Sequence, residues 1–101
     1  ASIRHLTMKK ILVPRIEIHY CTQCRFILRA TWIAQELLMT FAEKIGEIAL
    51  IPSSGGEFII FCDGKKIFSR KEKGRFPESK ELKQLIRDEI DPSRSLGHSD
   101  E

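Results

Sequence analysis

Arg15-Ile16-Glu17-Ile18-His19-Tyr20-Cys21-Thr22-Gln23-Cys24 is the stretch that decides the fold. Its first six residues alternate polar and apolar. That is the period of a strand, with Ile16, Ile18 and Tyr20 on one face. Two cysteines, two residues apart, follow at once, and then the period changes. Over residues 25–45 the apolar positions Ile27, Ala30, Ala34, Leu37, Leu38, Phe41 and Ile45 recur every three or four residues, the stripe of an amphipathic helix. Phe26, Trp32 and Ile33 lie off that stripe and widen the apolar surface. Gly46 is a natural residue to stop the helix.

Beyond this unit the strands are short. Residues 47–51 form an apolar run ended by Pro52, which predicts a buried strand. Residues 52–56, Pro-Ser-Ser-Gly-Gly, predict a loop. Two further strands are expected over 57–62 and 65–71. Between them Asp63-Gly64 predicts a two-residue hairpin, because a type I′ turn needs positive φ at both positions. A loop over 72–76 leads to Pro77, which suits the first turn of a helix. Leu82, Leu85, Ile86 and Ile90 give that helix its apolar stripe, and Asp91-Pro92 ends it. Residues 1–13 read as an N-terminal extension, with Met8 a candidate native start. Residues 14–92 read as the domain, and the polar residues 93–101 as a disordered tail.

The order is therefore β-α-β-β-β-α, an α/β fold. Its first β-α-β unit is parallel, a hairpin completes the sheet, and the layers number two, or three if helices cover both faces. The chain of 101 residues has room for one core. At 42% hydrophobic and 31% charged it has the composition of a soluble globular protein. No apolar run approaches the length that spans a bilayer, so no membrane is expected.

The net charge is +3. Lys9, Lys10, Lys65, Lys66, Arg70, Lys71, Lys73 and Arg75, with Phe68 and Phe76 among them, could form a nucleic-acid patch. Acidic residues balance most of that charge and no nucleic-acid motif is present. A solvated strand edge is the better reading, and nucleic acid is not an expected partner. Three cysteines without a secretory leader do not make a disulfide framework, so the expected compartment is the cytoplasm.

The Cys21/Cys24 spacing carries the chemistry. At the start of a helix, free N–H groups and the positive end of the helix dipole favour a thiolate. Arg25 adds a cation. Sulfurs two residues apart can close a reversible disulfide, one attacking a substrate disulfide and the other resolving the mixed disulfide. Half of a zinc site competes with this. Zinc takes four ligands, and only Cys62 and the scattered His5, His19 and His98 remain, so no metal is expected. A Cys-x-x-Cys in a β-α-β unit instead reads as a thioredoxin-like redox motif. Cys62 shares a strand face with Phe58 and Ile60 and reads as a small buried hydrophobe.

A sheet of order 2-1-3-4 has a further consequence. The loop over 52–56 must then cross above the end of the first strand, where Cys21 lies. The gap is about 10 Å, two strand spacings, which five residues span easily. Gly55 and Gly56 would let main chain approach the sulfurs. Thr22, Gln23, Gly55 and Gly56 are the expected substrate-contacting residues beside the catalytic Cys21 and Cys24.

The chain resembles the selenoprotein W-like (Rdx) family in its bacterial all-cysteine form. The matching residues are Tyr20-Cys21-Thr22-Gln23-Cys24, Ser54-Gly55-Gly56-Glu57-Phe58, Ser69-Arg70-Lys71, Gly74-Arg75-Phe76-Pro77 and Leu82-Lys83-Gln84-Leu85-Ile86-Arg87-Asp88. The resemblance implies a thioredoxin-like fold with a four-stranded mixed sheet and two helices. It also implies a redox motif and links to glutathione and to thiol-containing proteins; no bound cofactor is expected. True thioredoxins carry a cis-proline before the third strand, where this chain has Gly56-Glu57. Animal members of the family carry selenocysteine at the position of Cys24, whereas thioredoxins attack with the cysteine at the position of Cys21. The attacking sulfur is thus open between the two. A redox-sensitive protein-binding module without turnover is the alternative function.

Overall fold

Alternation makes β1 (Arg15–Cys21) the centre of the molecule. The structure, a computed structural model, describes residues 13–93, 96 and 97. After β1 come α1 (Ile27–Phe41), β2 (Glu47–Ser53), β3 (Phe58–Cys62), β4 (Lys65–Ser69), α2 (Arg70–Lys73) and α3 (Ser79–Ile90). The four strands form one mixed sheet in the order β2-β1-β3-β4. β1 runs parallel to β2, with Ile16 beside Ile48 and Cys21 beside Ser53. It runs antiparallel to β3, with Ile16 beside Cys62 and Ile18 beside Ile60. The β3–β4 hairpin turns on Asp63 (φ 50°) and Gly64 (φ 85°), the positive pair that the turn demands.

The core lies on one face of the sheet. Ile16, Ile18, Phe58, Ile60, Cys62 and Phe68 point into it and are buried. α1 covers them with Ala30, Ile33, Leu37 and Phe41, and α3 with Leu82 and Ile86. Both helices thus sit on the same face, and the layers number two. The opposite face is half-buried. On it His19 lies 4.9 Å from the Phe61 ring and hydrogen-bonds Glu17, which also meets Arg15. Among the described residues, no helix is long and apolar enough to cross a membrane.

Four elements depart from sequence expectation, α1 and β2 first. α1 begins at Ile27, because Arg25 takes a left-handed φ of 59° that no helix can include. It also ends early, at Phe41, and Gly46 instead donates its N–H to the Pro14 carbonyl. Its buried stripe runs through Ile33, spaced three and four residues from Ala30 and Leu37, whereas Leu38 is turned away and exposed. β2 continues through Pro52 to Ser53, which an edge strand tolerates.

The other two departures lie downstream. β4 stops at Ser69, whose hydroxyl accepts from the Glu72 N–H and starts the short helix α2 where a strand end and loop were expected. Ser69-x-x-Glu72 was the available signal. α3 starts after Pro77, at a Glu78/Glu81 capping box. The expected extension over 1–13 lies outside the described residues except for Val13. Of the expected tail, only 93, 96 and 97 are described, and Leu96 packs against the core.

Candidate redox site

β1 carries Cys21 to the end of the sheet and buries it to 1% exposure. Two hydrogen bonds clamp the chain there. The Cys21 N–H donates to the Glu57 carbonyl at 2.8 Å, and the Thr22 N–H donates to the Ser53 carbonyl at 3.2 Å. The β2–β3 loop therefore crosses over this end of β1, as the 2-1-3-4 order requires. Gly55 and Gly56 take φ values of 67° and 75° in succession, a pair of left-handed residues that any side chain would strain. Their turn directs the Gly56 N–H at the sulfurs.

Between β1 and α1 the chain makes a separate turn over residues 22–26. The Arg25 N–H donates to the Thr22 carbonyl and the Phe26 N–H to the Cys21 carbonyl, both at 3.3 Å. Cys24 therefore sits in this turn and not in the first turn of the helix, contrary to expectation. It is exposed, as are Thr22 and Gln23. The turn curls its main-chain N–H groups inward, so that those of Gln23 and Cys24 face the Cys21 sulfur.

The two thiols lie close enough to interact with each other. Cys21 is held below its ordinary pKa, first by the Cys24 thiol and then by the N–H groups of Gly56, Cys24 and Gln23. Cys24 is held above its own, first because its proton is committed to Cys21, then by partial desolvation and by the charge on Cys21. The Arg70 guanidinium and the Gly56 N–H oppose that rise. Exposure and acidity thus point to different sulfurs. Cys21 best holds negative charge, and Cys24 is the one a substrate can reach.

Arg70 is the site residue that sequence reading missed, since it was assigned to a solvated strand edge. α2 turns its guanidinium over the rings of Phe26, at 5.2 Å, and Phe76, at 5.1 Å. Phe26, Phe58 and Phe76 meet edge to face beneath it. Beside it, Lys71 Nζ lies 3.8 Å from where a Cβ on Gly55 would be. The resemblance covered Ser69-Arg70-Lys71 and Phe76, and their packing on the motif is a long-range fact that local pattern does not contain. Glu57 is engaged by the Ser53 hydroxyl at 3.0 Å.

Cys62 stands apart. It pairs with Ile16 while Cys21 ends the same strand, roughly 17 Å away along β1. Burial pushes its thiol up to about 11. Among the described residues, no three His, Cys, Asp or Glu side chains gather to hold a metal ion.

A mixed sheet of order 2-1-3-4, both helices on one face and a dithiol at the end of β1 define a thioredoxin-like domain with a Cys-x-x-Cys motif. The chain belongs to the Rdx family, which matches residues 15–88. It is similar to the crystal structure of a selenoprotein W-related protein from Vibrio cholerae, with 56% identity and a TM-score of 0.75 over 76% of this chain and 96% of that one. It is also similar to a structure from Bordetella parapertussis, with 53% identity and a TM-score of 0.74 over 75% of this chain and 96% of that one. Comparison with curated proteins finds no match.

Proposed function

We propose that the protein performs thiol–disulfide exchange through Cys21 and Cys24 in the cytoplasm, without a bound cofactor, with glutathione or thiol-containing proteins as partners. The observation that carries this reading is the placement of an exposed thiol, Cys24, close to a buried sulfur, Cys21, that three main-chain N–H groups also face. A purely structural cysteine has no use for such a cradle, as Cys62 illustrates.

The geometry supports an order of events. Cys24 meets the substrate disulfide because Cys21 is covered. Cys21, as a thiolate, takes the Cys24 proton and acts as internal base. The Cys24 thiolate attacks one substrate sulfur, forming a mixed disulfide and expelling the other sulfur as a thiolate, which takes the proton from Cys21. Cys21 then attacks Cys24, closing the Cys21–Cys24 disulfide and releasing the second substrate thiolate. The protein has lost two electrons and the substrate has gained two. Arg70 favours the moment at which charge resides on Cys24.

Two variants test this. With thionitrobenzoate or glutathione disulfides, Cys21→Ser should accumulate a stable mixed disulfide on Cys24, and Cys24→Ser should accumulate none. The reverse pattern would make Cys21 the attacker. If mass analysis of the unaltered protein finds no Cys21–Cys24 disulfide after mild oxidation with diamide, exchange fails as the function and a binding module takes its place.

A further inference from the structure

The first turns of α1 beside the motif are apolar and uncovered. Leu28 is 70% exposed and Trp32, one turn on, is 48% exposed. With Arg29 they line an open depression of about 450 Å³. Leu28 donates its N–H to the Arg25 carbonyl, so this surface is continuous with the turn that carries Cys24. This uncovered apolar pair beside the motif is available as a contact surface.

Its charge is one-sided. Among the described residues, the arginines remote from the motif each hold a carboxylate: Arg15 meets Glu17 and Glu47, Arg75 meets Glu81, and Arg87 meets Asp88. Arg25, Arg29 and Arg70 meet none, and neither does Lys71. Arg29 and Arg70 instead rest on the Phe76 ring, at 4.4 and 5.1 Å. Stacking holds these guanidiniums in place while leaving their donors without a carboxylate. Arg70 Nε is buried without a hydrogen-bond partner. Among the described arginines, those without a carboxylate are the three at the motif, which makes this side of the molecule complementary to an acidic partner.

We propose that the Leu28–Trp32 surface, lined by Arg29 and continued by Arg25, Arg70 and Lys71 at the neighbouring motif, docks an acidic, apolar segment of a partner protein and presents that partner's thiol or disulfide to Cys24. The proposal rests on the exchange reading above and names its substrate class. Leu28 and Trp32 supply the apolar contact. The arginines supply carboxylate recognition, which gives the encounter its sign and its salt dependence.

The test separates docking from chemistry. Trp32 is the only tryptophan in the chain, so its fluorescence reports directly on the patch. A Cys21→Ser/Cys24→Ser double variant is titrated with two synthetic peptides. Both carry leucine and phenylalanine flanking a serine, one with aspartate and glutamate on either side and one with lysine. The acidic peptide should give a saturable change at about tenfold lower concentration than the lysine peptide, and the gap should close in high salt. Leu28→Ser in the same background should weaken the acidic peptide about threefold or more. In the cysteine-bearing protein, Leu28→Ser should leave diamide-driven disulfide formation intact. Equal responses to the two peptides, or no response, overturn the proposal. So does a response to phosphatidylglycerol vesicles without one to the acidic peptide, which would make the surface a lipid contact. The double variant has no exchange chemistry, so its failure to dock leaves the exchange reading standing. Failure of disulfide formation in the unaltered protein removes that reading without touching the titration.

Discussion

Two cysteines at opposite ends of β1, one on the strand and one on its neighbour β3, stand in opposite conditions. At the start of β1, Cys62 lies beside Ile16 among core hydrophobes, and desolvation pushes its thiol up to about 11. At the other end, Cys21 is as well buried, yet its pKa goes down, because the Cys24 thiol and three main-chain N–H groups face it. Burial alone therefore does not set a cysteine's reactivity. What decides is whether the polar groups that leave water with it point at the sulfur.

The largest way to break this contrast is alkylation. With a pKa near 11 against an ordinary 9.0, Cys62 holds about 100-fold less thiolate than a free cysteine at neutral pH, before its poor access is counted. Iodoacetamide on the native protein should label the Cys21/Cys24 pair and leave Cys62 unmodified until denaturant is added. Labelling of Cys62 at a comparable rate, read by peptide mass, would erase the contrast.

Stability against pH sharpens it next, because the two ends have opposite sign. Cys62 binds its proton more tightly when folded. Its contribution is fully present below about pH 9 and is lost as pH rises towards 11, about 2–3 kcal/mol in all. Cys21 binds its proton less tightly when folded. Its contribution is present above the unfolded value near 9 and is lost as pH falls through the folded one. Urea unfolding should show Cys62→Ala losing less stability than the unaltered protein between pH 9 and 11, and Cys21→Ser lacking a gain on approaching pH 9. Parallel curves for all three would refute the assignment.

The smallest expected effect belongs to Arg70. In a Cys21→Ser background, Arg70→Gln should slow Cys24 alkylation at neutral pH about threefold, and Arg70→Lys should recover most of it. A purely structural Arg70 would change unfolding in both variants and leave the alkylation pH profile of Cys24 where it was.

Much of this was legible before any coordinates. Alternation over residues 15–20 gave β1, Asp63-Gly64 gave the hairpin, and the 2-1-3-4 order placed the Gly55-Gly56 loop over Cys21. These follow from period and turn chemistry, which are local. The bounds of α1 were harder to read. Its apolar residues continue on both sides of the true helix, so periodicity alone ran from 25 to 45, while Arg25 left the helical region to shape the motif turn. The short helix at Arg70 was hidden for a similar reason, since four residues carry too little period to outweigh a preceding strand pattern.

By itself, the sequence determined the strand–dithiol–helix unit, the mixed sheet and the family resemblance. Tertiary structure decided that both helices cover one face, that Cys21 is hidden while Cys24 is exposed, and that Arg70 comes to the motif from α2. The physical reason is distance along the chain. Period and spacing specify which faces a segment offers to its neighbours. The Gln23 and Cys24 N–H groups come from the local turn, but the Gly56 N–H and the Arg70 guanidinium come from residues some thirty to fifty positions away, brought there only when the sheet closes its register.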